Sequence, residues 1–305
     1  MSGGMTDFTS LYERARTATP RRVAVACAQD EEVLRAVSRA EELGLAEGVL
    51  VGNGDEIRRI AASLGYEVPA DRIVDTPDPA EAAERAVKIV SGNDADGLGA
   101  DVLMKGLVDT SVIMKAVLNS EWGLRGMRVL SHVALFEVPG HPRLLFLSDA
   151  AMNIAPDLDH KKQILLNAVE AAHGAGIANP SVAILAAKEK ADAKMPATLD
   201  AEQLAEMNAS GEITGCTVGG PFALDNAVSP EAAHHKGVTH PGAGRADILI
   251  APDIEAANIL YKALVFLAGA RNAGIIVGAR KPIVLTSRAD SDETKLNSIA
   301  LAVMA

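Results

Sequence analysis

The stretch RVAVACAQDEEVLRAVSRAEELGLAEGVLVG, residues 22–52, decides the fold class. RVAVACA (22–28) is an apolar run of strand length, EEVLRAVSRAEELG carries apolar residues at helical spacing, and GVLVG (48–52) is apolar again. A strand, a helix and a second strand in this order make a parallel pair joined by a crossover helix. The unit then repeats. EIRRIAASLG follows GVLVG, RIVDT precedes AEAAERAVKIVS, and DVLMKG (101–106) leads into a helix started by Asp109 to Ser111. The polar, glycine-rich segment SGNDADGLGAD (91–101) is the connector before that last strand.

After Gly123 the rhythm changes. MRVLSHVALFEVPGHPRLLFLSDAAMN (127–153) reads as two strands joined by the turn residues Pro139, Gly140, His141 and Pro142, which is hairpin chemistry. Alternation returns with a helix over 159–175, the strand SVAILAA (181–187), a helix over 200–209, the strands CTVG and ADILIAP (246–252), a helix over 254–267, then GIIVG, PIVLTS and a final helix. A chain of 305 residues suits two α/β lobes, since domains commonly hold ~100 to 200 residues. Too few residues follow PIVLTS to form a lobe, so the last helix is expected to return to the first one. The expected division is 1–125 with 288–305 for the first lobe and 126–287 for the second.

Hydrophobic residues make up 49% of the chain and aromatics only 3%, so the core is built from Ala, Val, Leu and Ile, as buried parallel strands require. A net charge of −11 gives no electrostatic reason to expect nucleic acid or an anionic membrane as partner. Cys27 and Cys216 stand far apart and outside any CxxC, which points to a reducing compartment. The N-terminus MSGGMTDFTSLYERA has no basic segment followed by an apolar run, and the apolar stretches fall short of a membrane span. A soluble, cytoplasmic protein is expected.

Ligands of open α/β sheets bind beyond the carboxyl ends of the strands, where helix N-termini present free N–H groups. The residues there are Lys105, Gly106, Asp109, Thr110 and Ser111; Ser148, Asp149 and Asn153; Lys188 to Lys190; Gly219, Gly220 and Pro221 with Asp225 and Asn226; Asp253, Glu255 and Asn258; and Thr286, Ser287, Arg288 and Asp290. Ser111, Asp159 and Ser291 taken singly read as helix caps. Ser287 lies four residues before Ser291, a better-placed cap, and beside Arg288, which makes it a site candidate. No metal-ligand spacing occurs, and His234-His235 reads as surface polarity. GxGxxG, GxxxxGK[ST] and GxSxG are all absent, which disfavours dinucleotide, P-loop and serine-hydrolase chemistry.

The blocks DVLMKGLVDTS, LSHVALFEVPG, LFLSDAAMNIAPDLDHKKQI, KMPATLDAEQLAEM, GPFALDNAVSPEAAHHKGV, ADILIAPDIEAANILYKALVFLAGA and VLTSRADSDETKLNSIALA occur in this order. With them the chain resembles the phosphate acetyl/butyryltransferase family over nearly its whole length. The resemblance implies two three-layer α/β/α lobes with an interlobe cleft, laid out as in the isocitrate and isopropylmalate dehydrogenases, and a homodimer or higher homo-oligomer. It implies reversible transfer of a short acyl group between coenzyme A and inorganic phosphate, directly within a ternary complex. Acyl-CoA and phosphate are then the partners, and coenzyme A is a substrate rather than a cofactor.

A butyryl-sized chain is the first expectation, acetyl the runner-up, and an inactive CoA-binding protein a third reading. The resemblance carries over Ser287 and Arg288 as catalytic residues; Asp290 is added as a candidate base, and the strand-end residues Lys105, Thr110, Ser111, Asp149, Asn153, Gly220 and Pro221 are expected to bind substrate, with no metal. In acetyl-specific relatives a carboxylate seven residues after the serine is proposed to take the thiol proton. Thr294 stands there, which leaves Asp290, Asp292 or a carboxylate from another strand end as the base.

Overall fold

The computed structural model describes residues 5–17, 21–287 and 290–305. In chain order the elements begin with α1 (Phe8–Thr17), β1 (Arg21–Ala26), α2 (Glu31–Glu42), β2 (Ala46–Gly52), α3 (Gly54–Ser63), β3 (Ile73–Asp75) and α4 (Pro79–Ser91). Next come β4 (Val102–Lys105), α5 (Thr110–Val117), β5 (Ser131–Glu137), β6 (Leu145–Ser148), α6 (Leu158–Gly174), β7 (Ser181–Leu185) and α7 (Pro196–Ala209). The last third holds β8 (Thr217–Phe222), α8 (Leu224–Val228), α9 (Pro230–His235), β9 (Ile248–Ile250), α10 (Ile254–Lys262), β10 (Arg271–Val277), β11 (Ile283–Val284) and α11 (Asp292–Met304). A π-helical turn, Ala263–Leu267, continues α10.

The chain divides into two compact units. The first comprises Thr9–Arg128 and Ala273–Met304. Its strands run in the order β3, β2, β1, β4, β11, β10, parallel except for β10 against β11. The 22–52 segment forms β1, α2 and β2 as its pattern demands: Asp30 caps α2 by accepting from Val33 N–H, and Val23 to Ala26 lie in the sheet with no exposure above 1%. α2 packs against α3 and α11, while α4 packs against α5, β1 and β2. Leu50, Leu103 and Met104 are fully buried there, and each such side chain contributes roughly 1.5–3 kcal/mol.

Among the described residues the second unit comprises 5–8, Val129–Asn272 and Ala305. Its strand order is β5, β6, β9, β7, β8. The expected hairpin is present, with β5 antiparallel to β6 and Ala134 opposite Leu147, and the remaining pairs are parallel. Ala134, Phe136, Leu147, Leu249 and Phe222 belong to one apolar core.

The division differs from the sequence-based one at three places. Met5 accepts a hydrogen bond from Leu144 N–H and Phe8 N–H donates to Glu137, so the first described residues join the second unit. The boundary after Arg128 lies three residues beyond the expected one. Residues 273–287 belong to the first unit, because β11 is hydrogen-bonded to β4, with Ile283 opposite Leu103. Among the described residues no helix is long and apolar enough to cross a membrane.

Candidate active site

Three neighbouring parallel strands end together in the first unit. Ala26 of β1 stands opposite Lys105 of β4, and Val284 of β11 stands opposite Met104. The chain beyond each strand therefore leaves the sheet at the same edge, with Lys105 in the middle. Lys105 is 6% exposed, and its ammonium donates to the Gly106 carbonyl at 3.3 Å. Gly106 N–H donates to the Ala26 carbonyl, and a Cβ on Gly106 would stand 2.3 Å from the Cys27 carbonyl oxygen, so no larger residue fits. Cys27 itself has φ +57°, in the left-handed region. Burial pushes its thiol up to about 11, with Asp78 adding to the rise and Lys105 opposing it.

Thr110 and Ser111 are exposed at the first turn of α5. The cap position is Asp109, not Ser111, so the Ser111 hydroxyl has no capping duty. A similar shift occurs in α6, where Asp157 rather than Asp159 caps the helix and accepts from His160 N–H. Ser291 does cap α11, accepting from Thr294 N–H at 3.2 Å.

The β11 end continues into Thr286, which is buried, and Ser287, which is exposed. Ser287 N–H donates to Asp290 Oδ2 at 2.7 Å, and Asp290 N–H donates to the Ser287 carbonyl at 3.2 Å. Arg288 lies outside the described residues. Thr294 Oγ1 accepts from the Ser291 hydroxyl within the cap, which gives that position a local role in starting α11. Asp292 stands 3.8 Å from Arg35. Asp290 is thus the nearest carboxylate in sequence that is joined directly to Ser287.

The second unit treats its expected site residues differently. Asp149 is 4% exposed and accepts from the N–H groups of His132, Ala151, Met152 and Asn153 and from the Asn153 amide. Asn153 Nδ2 also donates to the Leu130 carbonyl at 2.8 Å. Both side chains therefore organise their own loop. Gly220 and Pro221, expected beyond a strand, lie inside β8. β8 is the edge strand of its sheet order, which is where a strand tolerates proline. A Cβ on Gly220 would meet Ile184 and Ala201, so packing within the unit explains the glycine.

The loop after β7 is a charge network. Lys188 pairs with Asp192 at 2.6 Å, and Glu189 accepts from Lys236 and from Asn226. The Lys236 ammonium, which also pairs with Asp225, holds the carboxyls of Glu189 and Asp225 below their ordinary range. Among the described residues no group of three or more His, Cys, Asp or Glu gathers as a metal site.

Lys295 is the residue that the sequence did not single out. It is 3% exposed, donates to Glu32 at 2.8 Å, and donates to the carbonyl of Asp290. A lysine in an amphipathic helix ordinarily reads as a solvated position. The only sequence signal is its place five residues after Asp290.

A family model described as Phosphate acetyl/butaryl transferase matches residues 81–303. A phosphate butyryltransferase of Clostridium beijerinckii is 49% identical, over 98% of this chain and 97% of that protein. A phosphate acetyltransferase of Thermotoga maritima is 47% identical, over 96% of this chain and 98% of that protein. Among solved structures, a branched-chain phosphotransacylase from Enterococcus faecalis V583 has a TM-score of 0.79 at 33% identity, covering 93% of this chain and 98% of its own. A 4-hydroxythreonine-4-phosphate dehydrogenase from Burkholderia phymatum, at 11% identity and TM-score 0.55 over 94% of this chain and 98% of its own, shares the fold alone and bears out the dehydrogenase-like layout. The chain belongs to the phosphate acetyl/butaryl transferase family.

Proposed function

We propose that the protein moves a short acyl group reversibly between coenzyme A and inorganic phosphate: acyl-CoA plus phosphate gives acyl phosphate plus CoA. The observation that carries this reading is the Ser287–Arg288 pair, with Asp290 bonded to Ser287 and Lys105 on the neighbouring strand, in a chain of this family. A butyryl-sized chain is the substrate taken here, following the relative named phosphate butyryltransferase. Acetyl is the second reading, favoured by the relative named phosphate acetyltransferase at nearly the same identity.

The chemistry asks little of the protein beyond placement and charge. A free thiol ionises near ~8.5, so attack on an acyl phosphate gains from a base and from nearby cations. In the direction of CoA acylation, the CoA sulfur attacks the acyl carbon, the bond from that carbon to the phosphate oxygen breaks, and phosphate leaves. Arg288 holds phosphate through its fork of N–H groups and favours the thiolate. The Ser287 hydroxyl donates to the thiolate or to the developing oxyanion. Asp290 takes the thiol proton. Lys105 and the first-turn N–H groups at Thr110 and Ser111 supply positive potential. Transfer is direct, in a ternary complex, and the fold's contribution is to hold two substrates in line.

The same reading makes coenzyme A a substrate, requires no cofactor, and places the enzyme in the cytoplasm without nucleic-acid or membrane partners. A homodimer is part of it. Ile259, Phe266 and Leu267, exposed by 69%, 77% and 87% at the end of α10 and the turn after it, support a partner on that face.

The experiment is CoA release, followed with a thiol reagent, from acetyl-, propionyl-, butyryl- and longer acyl-CoA with and without phosphate. Phosphate-dependent release peaking at butyryl-CoA is expected, and a peak at acetyl-CoA selects the second reading. No phosphate-dependent release from any of them removes acyl transfer.

A further inference from the structure

Lys295 occupies a position that general helix physics disfavours. It lies in the opening turns of α11, where the helix dipole repels a cation, and its side chain is almost wholly withdrawn from water. Its carboxylate partner Glu32 is half exposed, so the ion pair by itself adds little stability. An apolar side chain of similar volume would fill the space between α11 and α2 as well. What an apolar side chain cannot do is hold a carbonyl. The Lys295 ammonium joins Glu32 of α2 to the Asp290 carbonyl, and Asp290 is joined to Ser287 by two hydrogen bonds.

We infer that Lys295 is a positioning residue for acyl transfer: the chain Glu32, Lys295, Asp290, Ser287 anchors the Ser287 hydroxyl and the Asp290 carboxylate to α2. This inference rests on the acyl-transfer reading and adds a residue to it. Lys295 touches no reacting atom. Its effect runs through Asp290, and a group displaced by a fraction of a bond length from its working place loses much of its effect.

The test compares Lys295→Met, Lys295→Arg and Glu32→Gln with the unaltered chain in phosphate-dependent CoA release and in residue-resolved hydrogen exchange. Lys295→Met is expected to lower kcat by about tenfold or more while KM for phosphate stays close to its starting value. Lys295→Arg, which keeps a donor, restores most of that loss. The amides of Ser287 and Asp290 exchange faster in the Met variant, while those of Ile299 to Val303 keep their protection.

Unchanged kcat in the Met variant overturns the inference, as does faster exchange spread evenly along α11, the mark of helix packing alone. Should the Met variant fail to fold, Glu32→Gln decides: a severalfold lower kcat with the same two amides loosened supports the anchor, and an unaltered rate contradicts it. An unaltered chain without phosphate-dependent release would overturn the acyl-transfer reading itself, and the exchange comparison would still report whether Lys295 anchors Asp290.

Discussion

Two strand ends carry the same residue types and use them in opposite ways. LFLSDAAMN, in the second unit, and IVLTSRAD, in the first, each finish a buried strand with at least one hydroxyl and a carboxylate. At the first, Ser148 is fully buried and donates to the His132 carbonyl at 2.8 Å, while Asp149 gathers the N–H groups around it. At the second, Ser287 is exposed and Asp290 accepts from one backbone N–H. A carboxylate surrounded by donors builds a loop, and an exposed serine lies where solvent reaches it. Residue type at a strand end therefore does not separate the two ends, whereas burial and the hydrogen-bond pattern do.

That contrast can be broken by substitution at each end. The largest effect is expected from Arg288→Ala, above a hundredfold in kcat/KM with a raised KM for phosphate, because a charge-assisted fork on the phosphate is lost. Steady-state kinetics with phosphate varied checks it. Ser287→Ala is expected to lose about two orders of magnitude in kcat, the usual size for one oxyanion donor, with unfolding unchanged. Asp149→Ala should do the reverse. It leaves several buried N–H groups without an acceptor and lowers stability by about 2 kcal/mol in urea unfolding, with the kinetics of the folded fraction kept. An Asp149 variant that stays stable but loses turnover would erase the distinction between the two ends.

Two smaller effects sharpen it. His240 packs edge-on to Phe222 and against Gly219, and burial lowers its pKa below the ordinary histidine value of 6.5. The folded state thus binds fewer protons than the unfolded chain just below that value. The contribution is full above the ordinary histidine range and is lost as pH falls toward the folded pKa. His240→Asn should flatten this part of the stability profile, read by urea unfolding at several pH values between about 5 and 8. Thiol alkylation at neutral pH should leave activity intact, since Cys27 and Cys216 are both buried and burial raises both thiols. Rapid inactivation that substrate prevents would point to a covalent route instead.

Much of the fold was legible because its signals are local. The alternation from RVAVACA onward, the Pro139-Gly140 turn and the Ser291 cap each depend on a few adjacent residues, and each stands where the pattern put it. The unit boundary was less legible, because β11 joins β4 across more than 170 residues and no local pattern records that pairing. Gly220 and Pro221 read as lying beyond the strand CTVG, although an edge strand accommodates them. Lys295 looked like a solvated helix position, and only the packing of α11 on α2 buries it. The Ser287–Arg288 pair stands out in the sequence because Ser291, a better-placed cap, follows it. The four backbone N–H donors around Asp149 do not, since any sequence possesses such groups.

The most direct test of the central claim is the initial rate of CoA release from butyryl-CoA as phosphate is raised from zero, in the unaltered chain and in Ser287→Ala side by side. The account predicts a rate that saturates with phosphate in the unaltered chain and falls about a hundredfold in the variant. Release that ignores phosphate, or a Ser287→Ala rate equal to that of the unaltered chain, would contradict it.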